Sequence, residues 1–226
     1  MHLKAHYDGL YSNTLHALEN DIYSTDNLIS DKKDFRRGIT LRIRPPECVN
    51  LRIQTFLDDL KAVDPNQYYY PDSDIHITVM SVISCYSGFR LKTIVLQDYI
   101  HLIQECLQQI QEFSIAFKGV TGSLSCIMIQ GFPTSEGLNQ LRDALRHKFK
   151  NSSLQQSLDS RYTIQTAHAT VVRFKSELQQ KAEFINCLNQ YREFDFGTFN
   201  VNEVELVYND WYQKAEHVKL LHTFSL

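Results

Sequence analysis

At 226 residues, with 43% hydrophobic and 12% aromatic side chains, the chain can bury one two-lobed core or two small ones, and disorder is not the expectation. A formal charge of −3 and a pI near 6.3 exclude a generally basic nucleic-acid binder, but not a local groove for one phosphate. Five scattered cysteines (Cys48, Cys85, Cys106, Cys126, Cys187) form no C-x-x-C pair, so neither a zinc ribbon nor a disulfide framework is indicated, and buried free thiols are expected.

The amino-terminal MHLKAHYDGLYSNTLHALEN lacks the apolar stretch of a signal peptide, and no apolar run approaches the ~18–20 residues that span a bilayer. A soluble cytoplasmic protein without a membrane partner is expected. Residues 1–37 read as a helical arm with Leu10, Thr14, Leu15, Leu18 and Ile22 on one face, closed by the charged SDKKDFRRG. Residues 38–226 then read as one domain. Gly38–Arg44 is predicted as a strand stopped by Pro45 and Pro46, and Val49, Ile53, Phe56, Leu57 and Leu60 follow at helical spacing. Asp74–Ile83 is predicted as a strand, and Ile100, Ile103, Leu107 and Ile110 as the core face of a helix. Short strands are expected around FSIAFKGV and SCIMIQGF. A helix capped by Thr134 or Ser135 comes next, with Leu138, Leu141, Leu145 and Phe149 inward. Gln165–Phe174 is predicted as a strand, and Leu178, Ala182, Ile185 and Leu188 as a helix face. VNEVELVYNDW and HVKLLHTFSL close the chain as a hairpin. The class is α+β, with two similar halves that each contain one H-x-T strand.

Those strands carry His76-Ile77-Thr78-Val79 and His168-Ala169-Thr170-Val171. Residues i and i+2 of a strand share a face, so each His and its Thr point together while Ile75, Ile77, Val79, Ala167, Ala169 and Val171 pack inward. Imidazole titrates near neutrality and serves as either base or acid, and two of them flanking one phosphate can exchange roles between steps. Threonine hydroxyls can donate to the non-bridging oxygens where charge accumulates. With nine histidines and thirteen threonines, about half of one H-x-T is expected by chance, and a single copy is more often structural. Two copies in matching parity, one lobe apart, reverse those odds. No carboxylate cluster at metal spacing is evident, so neither a metal nor another cofactor is required. The glycines form no G-x-G-x-x-G or Walker loop, which disfavours triphosphate hydrolysis.

The paired H-x-T-V segments resemble the 2H phosphoesterases, which include 2'-5' RNA ligase-like proteins and cyclic phosphodiesterases. The resemblance extends to FSIAFKGVTGSLSCIMIQGFP with its following helix, to HATVVRF including Arg173, and to the closing VNEVELVYNDW and KLLHTFSL, covering about Gly38–Leu226. It implies two pseudo-symmetric lobes of mainly antiparallel sheet flanked by helices, with the histidines facing each other across a central cleft. The arm before Gly38 and the stretch Ser84–Ile94 are additions to the usual core. Catalytic candidates are therefore His76, Thr78, His168 and Thr170. The expected function is metal-independent cleavage of a nucleotide 2',3'-cyclic phosphate or 2'-5' phosphodiester. The rivals are 2'-5' ligation of RNA ends and a nucleotide-binding sensor of low turnover. A nucleotide or short oligonucleotide suits an acidic protein better than long RNA.

Arg42 shares the polar face of its strand with Arg44 and is either near the phosphate or a solvated edge residue. Arg173 has the opposite parity to His168, which places it at the strand end or in a loop. Tyr70, Tyr86 and Tyr212 flank the motifs or the terminal turn, as do Tyr68, Tyr69, Phe89, Tyr208 and Trp211. Each is either a stacking surface worth ~1–3 kcal/mol per base or a core aromatic. Arg42, Tyr70, Tyr86, Arg173 and Tyr212 complete the candidate set as substrate-binding residues. His2, His6, His16, His101, His147 and His217 are expected on the surface or on helices, and His222 lacks a threonine at i+2.

Overall fold

The two proline residues at 45 and 46 set the first boundary. The strand before them, β1 (Arg36–Ile43), ends where Pro45 would leave the ladder without a donor. Pro46 then sits in extended conformation at the start of α2 (Glu47–Val63), where its missing N–H costs nothing. The apolar face expected for α2 is realised, with Val49, Ile53, Phe56, Leu57 and Leu60 all buried. The computed structural model describes residues 3–160 and 163–226, so His2 lies outside the described residues.

Among the described residues nine strands form one antiparallel sheet, eight of them in two four-stranded halves. One half contains β1, β3 (Ile77–Ser87), β8 (Glu203–Asn209) and β9 (Lys219–Ser225). The other contains β4 (Phe113–Gly122), β5 (Cys126–Pro133), β6 (Ala169–Arg173) and β7 (Asp195–Val201). Their order is β7-β4-β5-β6-β3-β1-β8-β9, and the short β2 (Tyr68–Tyr69) also pairs with β6. The halves meet at one residue pair, Ile77 opposite Ala169. The expected closing hairpin is β8 and β9. The expected α+β class holds.

Helices flank the sheet, and α2 and α4 (Gly137–Lys150) cross between the halves. α2 packs on β6, β7 and α5 (Lys181–Gln190), whereas α4 packs on β3 and on α3 (Leu96–Leu107). α1 (Leu3–Glu19) lies on β4 and α5. Its buried residues are Tyr7, Tyr11, Thr14, Ala17 and Leu18; Leu10 and Leu15 are half-buried and Ile22 is exposed beyond the helix end. The helix turns on its tyrosines because the Tyr7 hydroxyl finds the backbone of β5, donating to Gly131 O (3.1 Å) and accepting from Gly131 N (3.2 Å).

Several local expectations shift. β7 lies outside the predicted elements. The φ of +114° at Gly197 accompanies a bulge at Phe196, and Phe196, Phe199 and Val201 are buried. α3 stops at Leu107, leaving Ile110 beyond it. α5 begins three residues after Leu178 and buries Phe184, Cys187 and Leu188 while Ala182 is exposed. Neither Thr134 nor Ser135 is the N-cap of α4. That position is Glu136, without a side-chain cap bond; Ser135 Oγ accepts from Gly137 N (3.4 Å) one residue earlier, and Thr134 N and Oγ1 donate to Ser114 O and hold the end of β5 to β4. Among the cysteines, Cys48 is exposed and the other four are buried, and none is in a disulfide.

Candidate active site

Both H-x-T motifs straddle a strand start. His76 and His168 are the residues immediately before β3 and β6, one position outside the strands predicted to contain them. The antiparallel pair Ile77–Ala169 puts His76 across from Thr170 and His168 across from Thr78. A local two-fold thus relates the motifs. The fourth residue of each motif extends the equivalence. Val79 is skipped in the β1–β3 register and Val171 in the β5–β6 register, so both valines are bulge residues. A bulge shifts strand parity by one, so the residue five after each histidine returns to the histidine face. Those residues are Ser81 and Arg173. The expectation that Arg173 faces away from His168 rested on strict alternation and is corrected by the Val171 bulge.

A cavity lies over the junction, lined by His76, Thr78, His168 and Thr170 together with Thr40, Tyr70, Ser81, Arg173, Asn209, Trp211, Tyr212 and Gln213. Among the described residues no carboxylate lines it. Of the sequence candidates, Tyr70, Arg173 and Tyr212 reach this wall. Arg42 lies behind it. Its Nε donates to Glu205 (2.8 Å) and its Nη1 to the Gln213 amide oxygen (3.2 Å), which leaves the Gln213 NH2 as a donor for the cavity. Tyr86 is outside, 43% exposed, its hydroxyl accepting from Gln155 (2.9 Å). β3 carries it beyond the last residue that faces the junction.

Each imidazole is anchored through Nδ1 by the residue two before it. His76 Nδ1 is 2.7 Å from Asp74 O, and His168 Nδ1 is 2.6 Å from Thr166 Oγ1. Supporting contacts hold both anchors. Arg44 donates to Asp72 O (2.8 Å) and to Ser73 O, and Asp74 itself accepts from Ser73 Oγ (2.7 Å) and Ala215 N (2.9 Å). On the other side, Arg142 of α4 is buried and gives its guanidinium to Thr78 O (2.9 Å), Val79 O (3.1 Å) and Thr166 O (2.9 Å). One side chain therefore ties the two motifs together. Gly131 lies so close to Ala167 O that a Cβ there would collide with it, and the Tyr7 hydroxyl of α1 borders the same backbone and Thr166.

Burial pushes His76 down to about 3, with the charges of Arg42 and Arg44 adding to it and the Asp74 bond opposing. Burial also pushes His168 down to about 4, helped by the Arg142 and Arg173 charges. Tyr70 is pushed up to about 12 by burial and so stays a phenol, accepting from Arg173 Nε (3.2 Å). The Arg173 guanidinium also lies 3.6 Å from Asp26 and 5.4 Å from the centroid of Tyr212, whose hydroxyl donates to Asp26 (2.7 Å). Thr166, Arg142, Ser81 and Gln213 are site residues beyond the sequence candidates. Thr166 was legible, since it shares strand parity with His168; Arg142 was not, since nothing in RDALRHKF marks a tertiary staple.

No group of three or more His, Cys, Asp or Glu converges as metal ligands would among the described residues, and none of the described helices is long and apolar enough to cross a membrane. A model of the AKAP7 2'5' RNA ligase-like domain matches residues 41–220. The chain belongs to this family. This 2'5' RNA ligase-like domain also resembles solved structures. TT0787 of Thermus thermophilus has 17% identity and a TM-score of 0.57 over 84% of this chain and 97% of that one. E. coli LigT complexed with 3'-AMP has 14% identity and a TM-score of 0.56 over 84% and 98%. A protein of unknown function, ATU0111 from Agrobacterium tumefaciens, has 16% and 0.53 over 92% and 97%. The likeness to these structures is one of fold. No curated protein matches the sequence.

Proposed function

We infer that this domain hydrolyses a nucleotide phosphodiester, either a 2',3'-cyclic phosphate or a 2'-5' linkage, with His76 and His168 as the acid/base pair. The observation that carries this reading is the two-fold placement of the motifs around the Ile77–Ala169 pair, each imidazole tied back through Nδ1. A carboxylate-free cavity with Arg173 on its wall favours an anion. The fold relative LigT has been crystallised with 3'-AMP, ATP and NADP+.

A carbonyl offers only lone pairs, so His76 Nδ1 carries the proton donated to Asp74 O and Nε2 keeps its lone pair as the base. Thr166 has a hydroxyl proton to give to His168 Nδ1, which favours the proton of that ring on Nε2, the acid position. Water attacks phosphorus while His76 Nε2 takes its proton. The bond from phosphorus to the ribose oxygen breaks, and His168 Nε2, charged in the substrate complex, protonates that oxygen. Thr78 and Thr170 donate to the non-bridging oxygens as charge builds. Burial favours the neutral form of both imidazoles, and a substrate phosphate anion supplies the counter-charge that lets one of them bind a proton.

Hydrolysis of 2',3'-cyclic nucleotides and 2'-5' dinucleotides in the presence of EDTA tests the reading. His76→Ala and His168→Ala, each checked for folding, should lose about 10²–10⁴-fold in kcat. Turnover that survives both substitutions would refute it.

A further inference from the structure

The two-fold that relates the motifs also relates the strands outside them. β1 flanks β3 as β5 flanks β6, so Arg42 stands opposite Thr78 and Met128 stands opposite Thr170. One half has a buried guanidinium where the other has a buried thioether. Arg42 does not line the cavity itself. Its Nε bonds Glu205 (2.8 Å), and its Nη1 donates to Gln213 Oε1 (3.2 Å), with Gln213 on the cavity wall.

A guanidinium can only donate, so this bond fixes which end of the Gln213 amide is oxygen and which is NH2. Gln213 is 4% exposed, and among the described residues nothing accepts from that NH2. Such a donor on a cavity wall calls for an acceptor from a ligand. The backbone beneath it is unusual as well. Gln213 has a φ of +57°, in the left-handed region that a side chain of this size rarely occupies. Two carboxylates hold the turn there: Asp210 accepts from Lys214 N (3.0 Å), and Asp74 accepts from Ala215 N (2.9 Å). The carbonyl of the same Asp74 anchors His76 Nδ1, so the turn and the imidazole share one support.

We propose that Gln213 is a further catalytic residue: its NH2 donates to a non-bridging phosphoryl oxygen on the His76 side, beside Thr78, and Arg42 is the residue that positions it. The assignment rests on the phosphodiesterase reading, since it takes the phosphate to lie between the histidines. The Arg42 charge on the amide oxygen polarises the NH2 and strengthens it as a donor. The phosphate thus meets a fixed cation, Arg173, on the His168 side and a neutral donor backed by a cation on the His76 side.

Hydrolysis of a 2',3'-cyclic nucleotide and of its two phosphorothioate diastereomers, in which sulfur replaces one non-bridging oxygen, tests this. Gln213→Gly removes the amide, and glycine suits a φ of +57°. Its kcat should fall about 10²-fold, with KM changed less. Gln213→Glu keeps an oxygen for Arg42 and removes only the donor, and should lose at least as much. Sulfur accepts hydrogen bonds poorly, so the wild type should turn over one diastereomer more slowly than the oxygen substrate. Gln213→Gly should narrow that ratio about tenfold, whereas loss of a merely structural side chain would slow oxygen and sulfur substrates alike. An unchanged kcat, or a fall with an unchanged oxygen-to-sulfur ratio, would overturn the assignment. If the wild type hydrolyses nothing, calorimetry with 3'-AMP decides. Binding at least about fivefold weaker in Gln213→Gly would uphold the donor and sink the hydrolase reading, and equal binding would overturn the donor too.

Discussion

At the scale of single residues, what holds Nδ1 decides what Nε2 can do. Asp74 offers a backbone carbonyl and Thr166 a hydroxyl, so the two histidines differ in tautomer preference although their motifs match. Thr166→Val keeps the shape and removes the bond to His168. It should lower kcat roughly fivefold, the ~1 kcal/mol of one hydrogen bond, while stability changes little. An unchanged kcat would separate Thr166 from the chemistry. The depressed histidines also set a proton linkage. A bound phosphate anion raises both, so binding takes up protons between about pH 4 and the raised value, and affinity strengthens as pH falls through that window. Calorimetry of 3'-AMP binding in buffers of different ionisation enthalpy checks this; no proton uptake at pH 5–6 would contradict it.

At the scale of elements, two bulges and one buried guanidinium make the site. Without Val79 and Val171 as extra residues, Ser81 and Arg173 would turn into the helix layer. Arg142 is paired with no carboxylate in its hydrogen bonds and gives its donors to three backbone carbonyls, two in β3 and one just before His168. Arg142→Met would strand those carbonyls, at ~1–3 kcal/mol for each buried unsatisfied group. The expected outcome is a loss of several kcal/mol in denaturant unfolding, less for Arg142→Lys, with kcat falling further than KM rises as the motifs lose register. α1 contributes by a similar route. Tyr7→Phe leaves Gly131 N and O without their side-chain partner, and should cost ~1–3 kcal/mol and slow turnover through the 166–167 backbone.

At the scale of the molecule, two half-sheets joined at one residue pair are held by helices that cross from one half to the other. Closing that junction around two neutral imidazoles has a pH consequence. Both histidines fold with values below the ~6.5 of the unfolded chain, so the unfolded state binds more protons below that pH. Stability should therefore fall as pH drops from about 6.5 toward 4, and be fully regained above about 7. Thermal unfolding followed across this range should show a flatter slope in the His76→Gln, His168→Gln double variant.

Much of this was legible in the chain itself. Periodicity placed α2, α4 and the β8–β9 hairpin, and the repeated H-x-T-V named the four residues at the junction, because spacing along one element is a local property. Where expectation and structure part, long-range contacts decide. Register against a neighbouring strand created the bulge that returned Arg173 to the cavity. The docking of α1 through Tyr7, the Arg142 staple, the place of Arg42 behind Gln213 and the wall made by Trp211 each depend on groups brought together from distant parts of the chain. A sequence specifies side-chain chemistry and local pitch, whereas which backbone carbonyl a guanidinium reaches, or which face a strand turns after an extra residue, is settled only when the sheets and helices have packed.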